Sequence, residues 1–306
     1  YWKVKVYTHT NETDWSEPAS WSMGLLNEAD WQGQWIGLDR PAPGDSETQW
    51  SRLAARYLRK EFALTKEVKR ATVHIAGMGL YELFINGQRI GEQVLAPAPT
   101  DYRKTILYNT YDVTPQLRKE NAIGVILGNG RFYTMRQNYK PYKIPTFGYP
   151  KLRLNLIVEY TDGSRQTIAS DISWKLTTEG PIRSNNEYDG EEYDARKELG
   201  DWNRTGYDDT NWISAQRVSI PSGTLRAQMI PGMKVTESLK PVSIRKQGGK
   251  HILDIGQNMA GWLRIRIKGQ AGDSIRLRFA ERLQPDGEIF TKNLRDAHCT
   301  DIYVVS

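Results

Sequence analysis

The chain has 306 residues, a net charge of +6, 10% aromatic and 25% charged residues, a balance that excludes an intrinsically disordered polymer. Its one cysteine, Cys299, excludes an internal disulfide and a thiolate metal cluster. No apolar run approaches the roughly 18 residues of a membrane-spanning helix, and the charges are interspersed rather than blocked, without a nucleic-acid motif. The length suffices for two or three β domains with cores of their own.

The chain opens on alternation. Trp2, Val4 and Val6 alternate with Lys3 and Lys5, the period of a half-buried strand, and the polar run 10–13 turns it back toward Trp15 and Trp21. Two strands cannot bury a core alone, so this pair is expected to lean on the next unit or on sequence upstream. The opening at Tyr1 is read as a cut inside a longer polypeptide, with any targeting signal outside it. Residues 41–50, rich in Pro, Gly and Ser, are a loop. Short strands are then expected at 57–62, 71–76, 81–85, 121–127 and 151–160. Three of them end on turn signals: Asn86-Gly87, Gly128-Asn129-Gly130 and Asp162-Gly163. Strands at this spacing, with no sustained 3.6-residue period, predict a β-sandwich or jelly roll.

From about residue 216 a further unit begins, entered through the extended connectors Ile230-Pro231-Gly232 and Leu239-Lys240-Pro241. In it Leu263, Ile265 and Ile267 alternate with Arg264, Arg266 and Lys268, and Ile275, Leu277 and Phe279 with Arg276 and Arg278. Residues 269–273 supply turn chemistry between the runs, so a hairpin with a wet, basic face is expected. Trp262, flanked by Gly256 and Gly261, is expected to anchor the core of that sandwich.

The densest polar cluster is Asn185-Asn186-Glu187-Tyr188-Asp189-Gly190-Glu191-Glu192-Tyr193-Asp194. Closely spaced oxygens around a Gly turn suit a hard cation such as Ca²⁺, which in turn can hold a pair of sugar hydroxyls. The competing reading is structural: Glu191, Asp194 and Arg196 as an ion-pair network and Asn185 as a turn residue. We favour the structural reading, because the spacing is not that of a defined calcium loop. The four histidines show no metal spacing, and His74, within an apolar strand, is expected to be a packed core residue. Glu281 and Asp286 are carboxylates without a facing partner legible in the sequence, and no catalytic residue is assigned.

Several motifs carry a family resemblance. Asp254-Ile255-Gly256-Gln257-Asn258-Met259-Ala260-Gly261-Trp262, then Ala280-Glu281-Arg282-Leu283, Asp286-Gly287, Asn293-Leu294-Arg295 and Thr300-Asp301-Ile302-Tyr303 resemble the β-sandwich region of bacterial α-L-rhamnosidases, glycoside hydrolase family 78. Upstream, Ile85-Asn86-Gly87, Leu127-Gly128-Asn129-Gly130, Tyr188-Asp189-Gly190-Glu191, Tyr193-Asp194-Ala195-Arg196 and Trp202 are similar to that family's N-terminal domain, a galactose-binding-like jelly roll. The run around Trp31-Gln32-Gly33-Gln34-Trp35 resembles its linker strand, and the opening residues resemble the last strands of a fibronectin type III sandwich.

The resemblance implies an all-β fold with three parts. These are a fibronectin type III-like remnant (1–24), the jelly-roll domain (25–218) and a concanavalin-like β-sandwich (219–306). It implies the non-catalytic N-terminal region of an enzyme that releases terminal α-L-rhamnose with inversion. The acid and base of that enzyme lie in a helical (α/α)6 barrel against which this region packs. In some relatives the jelly roll is a calcium-dependent rhamnose-binding module. On that basis Asn129, Asn185, Asn186, Glu191 and Trp202 are candidate carbohydrate contacts, Asn185 and Asn186 candidate Ca²⁺ ligands, and rhamnose-containing glycans the expected partners. Arg131 stands where the family usually has Trp, a departure from its sugar platform. No cofactor beyond calcium is expected, nor a nucleic-acid or membrane partner. A periplasmic or extracellular location is expected, the cytoplasm remaining open. The alternatives are a rhamnose-binding module without hydrolase activity and a structural cell-surface β-protein.

Overall fold

The computed structural model describes residues 1–21, 23–46, 52–133, 147–295 and 297–306. Their regular elements are strands and four short 3₁₀ turns, with no α-helix among the described residues, so the fold is all-β.

Two sheets form the jelly roll. A seven-stranded sheet runs Gln216–Arg217, Ile36–Gly37, Lys151–Tyr160, Val68–Met78, Thr105–Asp112 and Thr224–Ala227, with Arg165–Ala169 also paired to Lys151–Tyr160. A six-stranded sheet runs Ile213–Ser214, Lys175–Thr177, Arg56–Ala63, Glu120–Gly128, Leu80–Ile85 and Gln88–Arg89. Leu152, Leu154, Leu156 and Val158 alternate along one central strand, and they share a core with Leu58, Leu83, Ile123, Val125 and Leu127 of the facing sheet. The Asn86-Gly87 turn forms as expected: both residues take the left-handed region (φ 51° and 81°), as a two-residue hairpin of this twist demands.

The outer faces are covered too, which explains how charged residues come to be buried in these strands. On the seven-stranded sheet, the segment around Trp31 lies over Arg153 and Asn155. Arg153 Nε donates to the Gly33 carbonyl at 2.6 Å, and Asn155 Oδ1 accepts the Gly33 N–H at 2.8 Å. The expected linker strand is thereby stapled down, and Ile36–Gly37 pairs with strands on both sides. On the six-stranded sheet, a loop carrying Trp202 and Trp212 lies over Tyr57. Arg59, buried beneath it, donates to the carbonyls of Trp202 (2.8 Å) and Arg204 (2.9 Å) and pairs with Asp209 and Glu61. Deeper still, Arg56 pairs with Asp45 at 3.0 Å with both side chains inaccessible to solvent. His74 is packed as expected, its Nδ1 2.9 Å from Thr110 Oγ1 and its ring edge-on to Tyr108 and Trp31.

The opening residues fold back on themselves. Trp2 and Ala19 exchange backbone hydrogen bonds at 2.7 Å, and Trp2, Trp15 and Trp21 stay exposed. Gly24 and Leu25 lie against the jelly roll: the Leu25 carbonyl accepts the Tyr108 hydroxyl at 2.9 Å, and a Cβ at Gly24 would stand 2.3 Å from that hydroxyl.

The third unit departs from expectation. Runs 263–268 and 275–279 do not form a hairpin. Ser274–Arg278 instead pairs antiparallel with Thr300–Val304, and no ladder includes 263–268. The physical reason lies in the turn between the runs. The Gly272 N–H donates to the Val305 carbonyl, and the Val305 N–H to the Asp273 carbonyl, each at 2.9 Å, so the turn's backbone extends the ladder of the last strand. Alternation supplies a face, but partner choice goes to whichever backbone completes its hydrogen bonds. Trp262, expected in a core, is 56% exposed. Thr300–Val304 also pairs in parallel with Gly190–Asp194, so one four-stranded sheet is shared between the jelly roll's hairpin Ile182–Asn186/Gly190–Asp194 and the third unit.

Candidate functional site

The expected site residues divide between a hairpin, the loop beside it and a buried aromatic cluster. Asn129, just past the strand Glu120–Gly128, is fully buried beside Asn185. Its N–H donates to Asn185 Oδ1 at 2.7 Å and its Nδ2 to the Asn185 carbonyl at 2.8 Å, while both side-chain amides reach the Leu53 carbonyl at 3.2 Å. The pair thus ties three segments together. Asn186 does different work: its Oδ1 accepts the N–H groups of Tyr188 (2.7 Å) and Asp189 (3.2 Å), the Asx-turn that shapes the hairpin. The side-chain oxygens of Asn185 and Asn186, the two that would ligate Ca²⁺, are therefore already accepting backbone N–H groups. Successive residues of one strand also point to opposite faces, so the two do not converge on a common point. Among the described residues no group of three or more His, Cys, Asp or Glu side chains is placed to hold a metal ion.

Gly190 closes the hairpin at φ 103°, and a Cβ there would stand 2.2 Å from the Thr300 carbonyl oxygen, so glycine is required twice over. Glu191 follows. The expected network of Glu191, Asp194 and Arg196 is split: Arg196 Nε bonds Asp194 Oδ1 at 2.8 Å, and Glu191 lies instead among acids. Burial of its carboxyl, then the charges of Asp301 and Glu82, push it up to about 7. The residue as a whole is exposed, so solvent screens part of this effect. A carboxyl near 7 suits a general acid, but glycoside hydrolysis needs a second carboxylate across a substrate-wide gap. Asp301 lies alongside rather than across, its Oδ1 accepting the Glu191 N–H at 2.9 Å, and we assign Glu191 no catalytic role.

Trp202 is only 7% exposed. Its ring meets Tyr57 edge-on at 5.3 Å and Trp212 face-on at 6.1 Å, leaving it no open stacking face. Arg131 is drawn to Glu187 and the Tyr188 hydroxyl, each at 2.8 Å, on the same hairpin turn. Sequence reasoning missed the parallel strand pairing beside Glu191. Its only trace was the proximity in composition of two acidic, aromatic strands, Glu191 with Tyr193 and Asp301 with Tyr303.

Fold and site together define an all-β scaffold: a jelly roll, covered on both faces, whose hairpin carries the sheet of a second β unit. The chain belongs to the α-L-rhamnosidase family: residues 66–237 match its N-terminal domain and residues 244–306 the bacterial α-L-rhamnosidase concanavalin-like domain. Residues 1–27 match a Rha78A-like N-terminal immunoglobulin domain, where the sequence suggested a fibronectin type III sandwich; both are β-sandwiches. An α-L-rhamnosidase of Formosa agariphila is 39% identical over 94% of this chain and 32% of its own length. The solved α-L-rhamnosidase of Dictyoglomus thermophilum superposes with a TM-score of 0.86 at 38% identity, covering 99% of this chain and 34% of that one. That of Streptomyces avermitilis, solved with L-rhamnose, gives 0.78 at 40% identity over 82% of this chain and 25% of that one. The chain spans about a third of the length of the curated relatives it matches.

Proposed function

We propose that this chain is the non-catalytic N-terminal scaffold of an α-L-rhamnosidase. The enzyme it serves hydrolyses terminal α-L-rhamnosyl residues of glycosides with inversion, on a helical barrel against which the third unit packs. One observation carries the reading: two consecutive family matches span most of the chain, which is itself about a third as long as its catalytic relatives. The division we propose is 1–24, 25–218 and 219–306, with Thr224–Ala227 an arm of the third unit laid in parallel on the jelly roll's edge strand Thr105–Asp112.

In this role Asn129 and Asn185 pin the framework, Trp202 fills a core, and Asn186 shapes a turn. The test is direct. The 306-residue chain should release no p-nitrophenol from p-nitrophenyl α-L-rhamnoside; turnover by the chain alone would overturn the reading. Calorimetric titration with L-rhamnose, with and without Ca²⁺, should give no heat. Heat that requires Ca²⁺ and is lost in Asn186→Ala or Glu191→Ala would replace the scaffold with a sugar-binding module.

A further inference from the structure

We propose that the parallel junction between Gly190–Asp194 and Thr300–Val304 is a pH-responsive latch, holding the third unit to the jelly roll more tightly as the solution becomes acidic. The junction is narrow and specific. Tyr193 stands opposite Tyr303 in register, the two rings stacked at 5.5 Å and 7°. Two residues before each tyrosine, on the same face, come Glu191 and Asp301. Asp301 Oδ1 accepts the Glu191 N–H at 2.9 Å, which sets the Asp301 carboxylate against the Glu191 backbone, and its charge acts on the Glu191 carboxyl across the joint. Two carboxylates acting on each other in this way repel when both are ionised and stop repelling when one takes up a proton.

The surroundings do not neutralise them. Glu82, from the strand Leu80–Ile85, adds a third negative charge, itself paired with Arg89 at 3.3 Å. From the neighbouring strands come the Tyr57 phenol and the neutral Asn185. Arg183 is turned away to the carbonyls of Thr178 and Gly180. Of the groups around Asp301, the Cys299 thiol is neutral and raised by burial, and Arg278 stands opposite Thr300 and reaches Thr291. Farther along the strand the Tyr193 hydroxyl donates to Glu198, Glu192 pairs with Arg52, and Asp194 pairs with Arg196. Among the described residues Glu191 has no cation partner.

The sign follows from linkage. Burial, then the charges of Asp301 and Glu82, raise Glu191 from 4.5 to about 7 in the joined state; the part owed to Asp301 is lost when the strands part, so the closed joint holds its proton more tightly than the open one. The joint is therefore weakest above pH 7 and strengthens as pH falls below it.

Amide hydrogen exchange on the whole chain, corrected for intrinsic rates, reads this directly. Protection of the ladder between Thr300–Val304 and Gly190–Asp194 should rise about tenfold from pH 8 to pH 5.5, the factor that one pKa unit of linkage amounts to. The ladder between Val68–Met78 and Lys151–Tyr160 serves as the internal reference and should not rise. Glu191→Gln should be protected at both pH values with the dependence gone. Asp301→Asn, which keeps the Oδ1 acceptor, should flatten it in part. A wild-type junction indifferent to pH, an undiminished dependence in Glu191→Gln, or an equal rise in the reference ladder would each overturn the latch.

Discussion

In the jelly roll, Leu154 pairs with Ile75 on one side, exchanges hydrogen bonds with Ser170 on the other and is roofed by a second sheet; in the third unit, Ile265 has the same alternating neighbours and is 40% exposed. The two regions differ less in local sequence than in what covers them. Strands become rigid where a second layer takes their apolar face and where the outer face is also occupied, as Trp31 occupies Arg153 and Trp202 occupies Tyr57. In the third unit, apolar residues such as Trp262, Val242 and Ile244 remain in solvent, and its ladders are the two-stranded pairs Ser243–Gln247/Lys250–Asp254 and Arg282–Leu283/Ile289–Phe290 beside the sheet that Thr300–Val304 joins.

Substitutions can break or sharpen this contrast. The largest effect is expected from Asp45→Ala, which strands the Arg56 cation in a dry site; chemical denaturation of the jelly roll should show a loss of about 4 kcal/mol. Leu154→Ala, which opens a cavity between the sheets, should cost about 3 kcal/mol by the same measurement. Ile265→Ala in the third unit should stay within about 0.5 kcal/mol, and parity with Leu154→Ala would erase the contrast.

The two regions should also answer pH in opposite directions. Burial, then the charge of Arg70, lowers His74 from 6.5 to about 4, so the unfolded chain binds the proton first. Jelly-roll stability is then complete above pH 6.5 and lost as pH falls toward 4, over nearly the window in which the Glu191 joint tightens. Melting temperatures of His74→Gln should show less of this acid loss than wild type between pH 6.5 and 4.5; an identical slope would remove His74 as its cause.

How much of this was legible in the sequence depended on range. Asn86-Gly87 announced its hairpin because two adjacent residues settle that turn on their own. The strand Lys151–Tyr160 was legible because its period-2 pattern is the same whichever strands flank it. The partner of Ser274–Arg278 was not, since pairing across 269–273 and pairing with Thr300–Val304 bury the same side chains. For the candidate site, composition located the hairpin but not its use. Asn185 and Asn186 read as ligands because amide oxygens look alike in a sequence, whether they face a cation or a backbone N–H. Trp202 read as a platform because nothing local says that Trp212 lies on it.

The shared sheet has a consequence for the order in which the molecule assembles. The strand Gly190–Asp194 and its parallel partner Thr300–Val304 lie more than a hundred residues apart along the polypeptide. Closing so long a loop costs conformational entropy before any contact rewards it, which makes such pairings slow to nucleate. On the ribosome, the jelly roll can complete nearly all its ladders while the last strand is still unmade. Its hairpin then waits as an unpaired edge, a template that the third unit must reach before another chain does.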